Sequence, residues 1–222
     1  MRLLLINPNT STHITARLAA SAHQVLCTGD MLTAVTALHG PQVVRSAEGL
    51  LQAEASAMEL AATHAAGHDA IVLGISLDGA APRLRAQHPP LAVVGMTKAA
   101  LLTACLRVDR IGVLTLGAAL RPLYEQRVAG VGMGTRVVGV EAPEAAAAFE
   151  AGAPDVHPDL LDCLALASQR LRHAGAQGIV LAGAVLCGYA PALQARAGLP
   201  VFDGVACAVG QARLQLQLRC SA

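Results

Sequence analysis

Aromatic side chains are almost missing from this chain: it has no tryptophan, and aromatics make up 2% of its 222 residues against 54% hydrophobic residues. The core must therefore be built from Ala, Leu and Val. Charge of one sign is missing too. The net charge is +1 and the arginines are scattered, so the electrostatic footprint of nucleic-acid binding is absent. Mean hydropathy is high, at +0.51, yet no apolar run approaches the ~20 residues that a membrane span needs. Leu3 to Ile6 is too short for a signal-peptide core and runs straight into Asn7-Pro8-Asn9. These absences predict a soluble cytoplasmic protein with neither a nucleic-acid nor a membrane partner. Cys27, Cys105, Cys163, Cys187, Cys207 and Cys220 stand alone without a C-x-x-C pair, and the histidines are dispersed. Neither a disulfide framework nor a metal site is expected, and most of these thiols read as small buried hydrophobes. Without G-x-G-x-x-G or a P-loop, no nucleotide cofactor is expected either.

What the chain does contain is an internal echo. Gly175 to Gly188 reads G-A-Q-G-I-V-L-A-G-A-V-L-C-G, and Gly67 to Gly79 reads G-H-D-A-I-V-L-G-I-S-L-D-G. In each, a short I-V-L run ends in Gly or Ala and breaks into a small-residue loop. Such a run, buried on both faces, fits a parallel sheet. Two of them predict two similar α/β lobes, with a ligand cleft at the carboxyl ends of the strands. The length allows one large domain or two small ones.

In order, strands are predicted at Arg2 to Ile6, Met31 to Thr36, Asp69 to Gly74 and Leu91 to Gly95. Helices are predicted at Thr12 to Gln24, Ser46 to Ala66, Pro82 to Gln87 and Thr97 to Arg107. The second half repeats the alternation. Its strands are expected at Arg110 to Thr115, Thr135 to Glu141, Ile179 to Ala182 and Leu199 to Phe202. Its helices are expected at Ala118 to Val128, Pro143 to Glu150, Asp159 to Ala174 and Pro191 to Ala197, with a last one opening at Asp203. This is the signature of βα units and a mostly parallel sheet. The Asn7-Pro8-Asn9-Thr10-Ser11 segment reads either as a plain strand–cap–helix junction or as a set of amide and hydroxyl donors for a carboxylate or carbonyl. Thr97 reads as a cap, and Asp69 as solvated or capping.

Residues 2–11 (R-L-L-L-I-N-P-N-T-S), Asp69 to Leu73, Val93 to Gly95, Arg110 to Thr115 and Leu199 to Val205 (L-P-V-F-D-G-V) together resemble the aspartate/glutamate/hydantoin racemase superfamily, and most of all its hydantoin and allantoin racemases. The resemblance spans nearly the whole chain in order. It implies two pseudo-symmetric lobes, each a mostly parallel four-stranded sheet flanked by helices, over residues 1–98 plus 205–222 and residues 99–204. It also implies an active-site cleft between the lobes, no cofactor, a small-molecule substrate and a homo-oligomer. Family racemases invert a carbon next to a carbonyl with one cysteine from each echo loop, base on one face and acid on the other.

The chain departs from that pattern at both thiols. The first cysteine position falls on Ile75 or Ser76, and the second on Gly183. The central Thr-Thr is reduced to Thr115-Leu116, and Lys98 stands where a Glu is common. A serine hydroxyl is a weak base unless a neighbour activates it. The candidate catalytic groups are accordingly Ser76, Asp78 and Cys187. Asn7, Asn9, Thr10, Ser11, Ile75, Thr115, Gly183 and Ala184 are expected to bind substrate. Cys187 stands one helical turn beyond Gly183, and reads either as a rescuing thiol or as a small buried residue. Asp78 reads as a cleft acid or as a cap for the short helix after it. Tyr189 reads as a pocket wall, a hydroxyl donor or packing. Three functions remain open at this point: a cofactor-independent racemase with altered residues, a lyase like the arylmalonate decarboxylases, whose G-T-S-L loop resembles Gly74-Ile75-Ser76-Leu77, or a catalytically silent paralogue that binds a small carboxylate or ureide.

Overall fold

The computed structural model describes residues 1–144 and 156–219, and within them the predicted alternation is present. In the first lobe, strands β1 (Arg2–Asn7), β2 (Met31–Thr36), β3 (Ala70–Leu73) and β4 (Ala92–Gly95) are joined by helices α1 (Thr12–His23), α2 (Ala47–His64) and α3 (Ala81–Gln87). Helix α4 (Met96–Cys105) leads into the second lobe. There the strands are β5 (Ile111–Leu114), β6 (Val137–Glu141), β7 (Gly178–Leu181) and β8 (Val201–Asp203), with helices α5 (Arg121–Gly130), α6 (Pro158–His173) and α7 (Ala190–Ala197). The long helix α8 (Gly204–Arg219) follows β8 and packs back against β3, β4, α4 and α1 of the first lobe. Helix α4 touches β7 as well as β4, so it lies between the two sheets.

Both sheets are parallel throughout and share one permutation, β2-β1-β3-β4 and β6-β5-β7-β8. β3 and β7, the two I-V-L runs, are buried at every residue, which is why they read as continuous apolar runs without alternation. The helices cover the sheets with apolar stripes. Leu160, Leu164 and Leu171 of α6 and Ala53, Ala57 and Ala61 of α2 face inward at helical spacing. With so few aromatics, closeness is achieved by alanine at the contacts, and each fully buried Leu or Ile adds about 1.5–3 kcal/mol. The free edge of β4 is blunted by arginines, since Arg219 donates to the carbonyls of Pro90 and Leu91, and Arg85 to that of Val93.

Several local expectations need correction. The helix expected from Ala118 begins as a 3-10 turn (Ala118–Leu120) and becomes α-helical only at Arg121, with Pro122 in its first turn, where proline costs no hydrogen bond. Thr97 is not the cap of α4. Gly95 holds that position, and Thr97 lies inside the first turn. Asp69 is partly solvated, as expected, but caps no helix: it accepts the Arg2 backbone N–H at 2.7 Å and its guanidinium at 2.8 Å, which holds its carboxyl below the usual range. Among the described cysteines only Cys187 is buried, and Cys27 is exposed. The helix expected over Pro143 to Glu150, and Cys220, lie outside the described residues except for Pro143 and Glu144. Among the described residues no helix is long and apolar enough to cross a membrane.

Candidate functional site

The carboxyl ends of β1, β3, β5 and β7 converge on one cleft between the lobes. Pro8, Asn9 and Ile14 from the β1–α1 junction form one wall, with Val43 and Val44 from the connection before α2. Gly74 and Ile75 after β3 face Thr115, Leu116 and Leu120 after β5, and Gly183, Ala184 and Val185 after β7 close the floor. Of the residues expected to bind substrate, Asn9, Ile75, Thr115, Gly183 and Ala184 are therefore brought together. Asn7, Thr10 and Ser11 are not in the wall.

Those three build the loop that presents Asn9. Asn7 is fully buried, and its Nδ2 donates to Asn9 Oδ1 at 3.0 Å, the Ser11 carbonyl at 3.1 Å and Thr15 Oγ1 at 2.9 Å. Its donors are spent inside the loop. Ser11 starts α1 but makes no side-chain cap. Its hydroxyl donates instead to the Gln42 carbonyl at 2.6 Å, while the Thr10 N–H donates to Pro41 at 3.1 Å. The segment bearing Val43 and Val44 is thus tied to the β1 loop. Asn9 Oδ1 accepts the Ser11 N–H at 2.9 Å, which fixes the amide and leaves Nδ2 as the end available to a ligand. Thr115 is 1% exposed, in the wall of the cleft.

Gly183, on which the resemblance puts the second thiol position, has φ 148 and ψ 136, a conformation that side chains rarely adopt. A Cβ built there meets only Thr115 Oγ1 at 3.8 Å and the Tyr124 hydroxyl at 3.9 Å, so the space is open but the backbone is glycine's. Tyr124, from α5, is fully buried behind this point. Sequence reasoning passed it over because nothing local distinguishes it from a packing residue.

The three candidate catalytic groups fare differently. The side chain of Ser76 lies outside what is described; its backbone opens a 3-10 turn (Ser76–Asp78) after Ile75. Asp78 does not cap α3. It is 1% exposed, and its carboxylate accepts the first N–H groups of α4, from Thr97 at 3.0 Å and Lys98 at 2.7 Å, together with Arg127 from α5 at 3.2 Å. Burial pushes this carboxyl up, against the pull of those donors. Gly95 makes room for it, since a Cβ there would come within 2.3 Å of the carboxyl carbon. Leu77 and Asp78 sit at φ 67 and φ 56, left-handed values that cost non-glycine residues energy and that these contacts hold in place.

Cys187 is 1% exposed and is absent from the cleft wall. It packs in the first-lobe core with Leu5, Leu18 and Val205. Burial first, and then the Asp203 carboxylate, push its thiol well above the ordinary value, although the Val205 N–H and Arg17 pull the other way. Such a thiol is inert as an acid–base group at neutral pH. Lys98 is exposed, and only its backbone takes part, through Asp78. Tyr189 is fully buried in the second-lobe core, where its hydroxyl accepts the His157 N–H at 2.9 Å and its ring lies 5.3 Å from the Arg17 guanidinium. Asp203, at the end of β8, caps α8 in turn, taking the Val205 and Ala206 N–H groups at 2.9 and 3.1 Å.

No ionisable side chain of a described residue lines the cleft. Its water-accessible space is about 30 Å³, room for one or two water molecules. Among the described residues no group of three His, Cys, Asp or Glu could hold a metal. His64 and His68 stand four apart, but His64 ends α2 and His68 lies in the turn beyond it, with Nε2 against Thr33 at 3.0 Å.

Similarities to known proteins bear on this geometry. Residues 3–212 match the family described as Asp/Glu/Hydantoin racemase. The hydantoin racemase of Paenarthrobacter aurescens is 27% identical over 229 residues, a match covering 100% of this chain and 94% of that protein. The crystal structure of allantoin racemase from Pseudomonas fluorescens superposes with a TM-score of 0.89 at 25% identity, over 99% of this chain and 92% of that one. Arylmalonate decarboxylase shares the fold, with a TM-score of 0.61 at 16% identity, over 97% of this chain and 92% of that one.

Proposed function

The chain belongs to the Asp/Glu/hydantoin racemase family, and from that premise we propose that its cleft binds a small uncharged ureide or hydantoin-type ring without carrying out two-thiol racemisation. The observation that carries this reading is the chemistry of the wall. The polar side chains that the described residues offer there are the Asn9 amide and the Thr115 hydroxyl, set among Ile14, Val43, Ile75, Leu120 and Val185. A buried carboxylate without a cation is strongly disfavoured, whereas a neutral ring with N–H and C=O groups can pair with an amide and a hydroxyl. Amino acids such as aspartate are therefore poor candidates, and a hydantoin is a good one.

Inversion at a carbon next to a carbonyl needs a group that takes a proton on one face and one that returns it on the other. Gly183 supplies none, Ile75 supplies none, and the thiol of Cys187 is buried in a core with a raised pKa. Asp78 is committed to the α4 N-terminus and Arg127. That leaves a hydroxyl at Ser76, which is a weak base on its own. The same accounting weighs against a decarboxylase, since protonating an enolate from one face still requires one acid in the cleft.

The test is calorimetric titration with hydantoin, 5-methylhydantoin, allantoin and aspartate, paired with NMR of deuterium uptake at C5 in D₂O and polarimetry of single enantiomers. Neutral rings should bind, aspartate should not, and C5 exchange should stay at the buffer rate. Thr115→Val should weaken binding about tenfold, the cost of one lost hydrogen bond in a closed site. Exchange well above buffer, or tighter binding of aspartate than of any hydantoin, overturns the reading.

A further inference from the structure

The free edges of the two sheets are not alike. At β4 the outward carbonyls of Leu91 and Val93 are each taken by an arginine, Arg219 and Arg85. β6 is out of step with β5 between Ile111 and Gly112, and it ends in Glu141, which pairs with Arg170. β8 is three residues long. Charge, irregularity and shortness are the devices that keep a free edge from pairing. β2 has none of them. Its six residues, M-L-T-A-V-T, run in unbroken register with β1, without a charge, a proline or a bulge.

The hydrogen-bond parity of β2 tells which of its groups are free. The Met31 N–H donates to the Met1 carbonyl at 2.9 Å and, just past the strand, the Ala37 N–H donates to that of Asn7 at 3.0 Å. The odd-numbered residues therefore turn their N–H and C=O groups toward β1. Leu32, Ala34 and Thr36 turn theirs outward, where no segment among the described residues pairs with them. Thr33 and Ala34 are exposed, and Met31 (65% exposed) and Leu38 (86%) bracket the edge with apolar side chains. The helix beside this edge is as neutral as the strand. α1 packs on β2 and on α8, and the residues it exposes are Thr12, Ala16, Ala20 and His23, while its one arginine, Arg17, is buried.

We propose that β2 pairs with the β2 of a second copy of this chain, antiparallel about a twofold axis at Ala34, so that the two first-lobe sheets join edge to edge. Antiparallel pairing has to match outward-turned residues with one another. An axis at Ala34 does this for Leu32, Ala34 and Thr36 together: Leu32 of one copy meets Thr36 of the other, and Ala34 meets itself, with its small side chain at the axis. A neutral strand meets its own copy without like-charge repulsion, and one twofold contact uses up both edges. The inference does not depend on what the cleft binds.

The test is sedimentation velocity over a concentration series, paired with residue-resolved amide exchange by NMR. At high concentration a dimer should form in which the Leu32, Ala34 and Thr36 amides exchange at least about tenfold more slowly than after dilution to monomer. The Thr33 and Val35 amides, which already donate to β1, should not change. Ala34→Lys sets two like charges at the axis on an exposed position. It should leave a monomer with the parent's urea midpoint. If Ala34→Lys fails to fold, Ala34→Pro replaces it, since it removes only an outward N–H. Leu106→Lys, 84% exposed at the end of α4 and away from β2, should remain dimeric. A parent that stays monomeric throughout overturns the proposal. So does an oligomer whose Leu32, Ala34 and Thr36 amides exchange as fast as the monomer's, because its contact then lies on another face.

Discussion

Asp78→Asn separates a site acid from a structural clamp. Asparagine keeps the side-chain size and tolerates the left-handed backbone at φ 56. It can accept one N–H of α4, but its amide then turns N–H groups toward the other donors, Lys98 N–H or Arg127. Losing the cap costs about 1 kcal/mol. Leaving Arg127 facing a neutral group brings the total to about 3 kcal/mol, the low end for breaking a buried pair from one side. For a chain of this length that lowers Tm by roughly 9 °C. Calorimetry and urea titration should agree, with the midpoint lower and the slope unchanged. Binding of hydantoin well below Tm should stay within a few-fold of the parent. A variant that melts within a degree or two of the parent but no longer binds or exchanges any ring would refute the clamp and restore Asp78 to the cleft chemistry.

Other contacts give expected outcomes of their own. Cys187→Ala should cost about 1 kcal/mol, as for a small cavity in a packed core, and leave calorimetric binding of hydantoin unchanged; abolished binding would put this thiol in the site. Asp30 is held far below the ordinary carboxylate range by Arg213 first and also by the Cys27 N–H. Its contribution is therefore present above the unfolded value and is lost as pH falls toward the folded one. Urea midpoints of the parent should drop between pH 5 and pH 2, as the linkage of a depressed carboxyl requires. Asp30→Asn should start about 3 kcal/mol lower at neutral pH and show a shallower acid limb; parallel limbs would refute the assignment.

The strands and the repeat were legible because their signal is local. Residues 70–73 and 178–181 are buried on both faces and so carry an uninterrupted apolar run, and turns rich in glycine bracket them. Helix positions followed from inward-facing leucines and alanines at helical spacing, with ends displaced by up to three residues, the most at the start of α5. Within the loops the signal failed because a polar residue looks the same whether its partner is a ligand or a backbone amide. Asn7 and Asn9 are two residues apart in the same segment, yet one is consumed by the loop and the other faces the cleft. Cys187 stood at a helical-turn spacing from Gly183, but the intervening 3-10 turn and its extended exit (φ −59, ψ 137) send it toward α8.

By itself, the sequence determined the two parallel α/β lobes, the family, and the absence of a thiol at Ile75, Ser76 and Gly183, because buried runs and residue identities are properties of short stretches. Only the tertiary structure decided what the remaining groups do. Asp78 finds its partners at Thr97, Lys98 and Arg127, and Arg17 finds Val185 and Tyr189. Val43 and Val44 reach the cleft from a connection with no motif of its own. Those pairings join residues far apart in the chain, and whether a buried polar group serves as a clamp or as a site is set by what the fold packs against it.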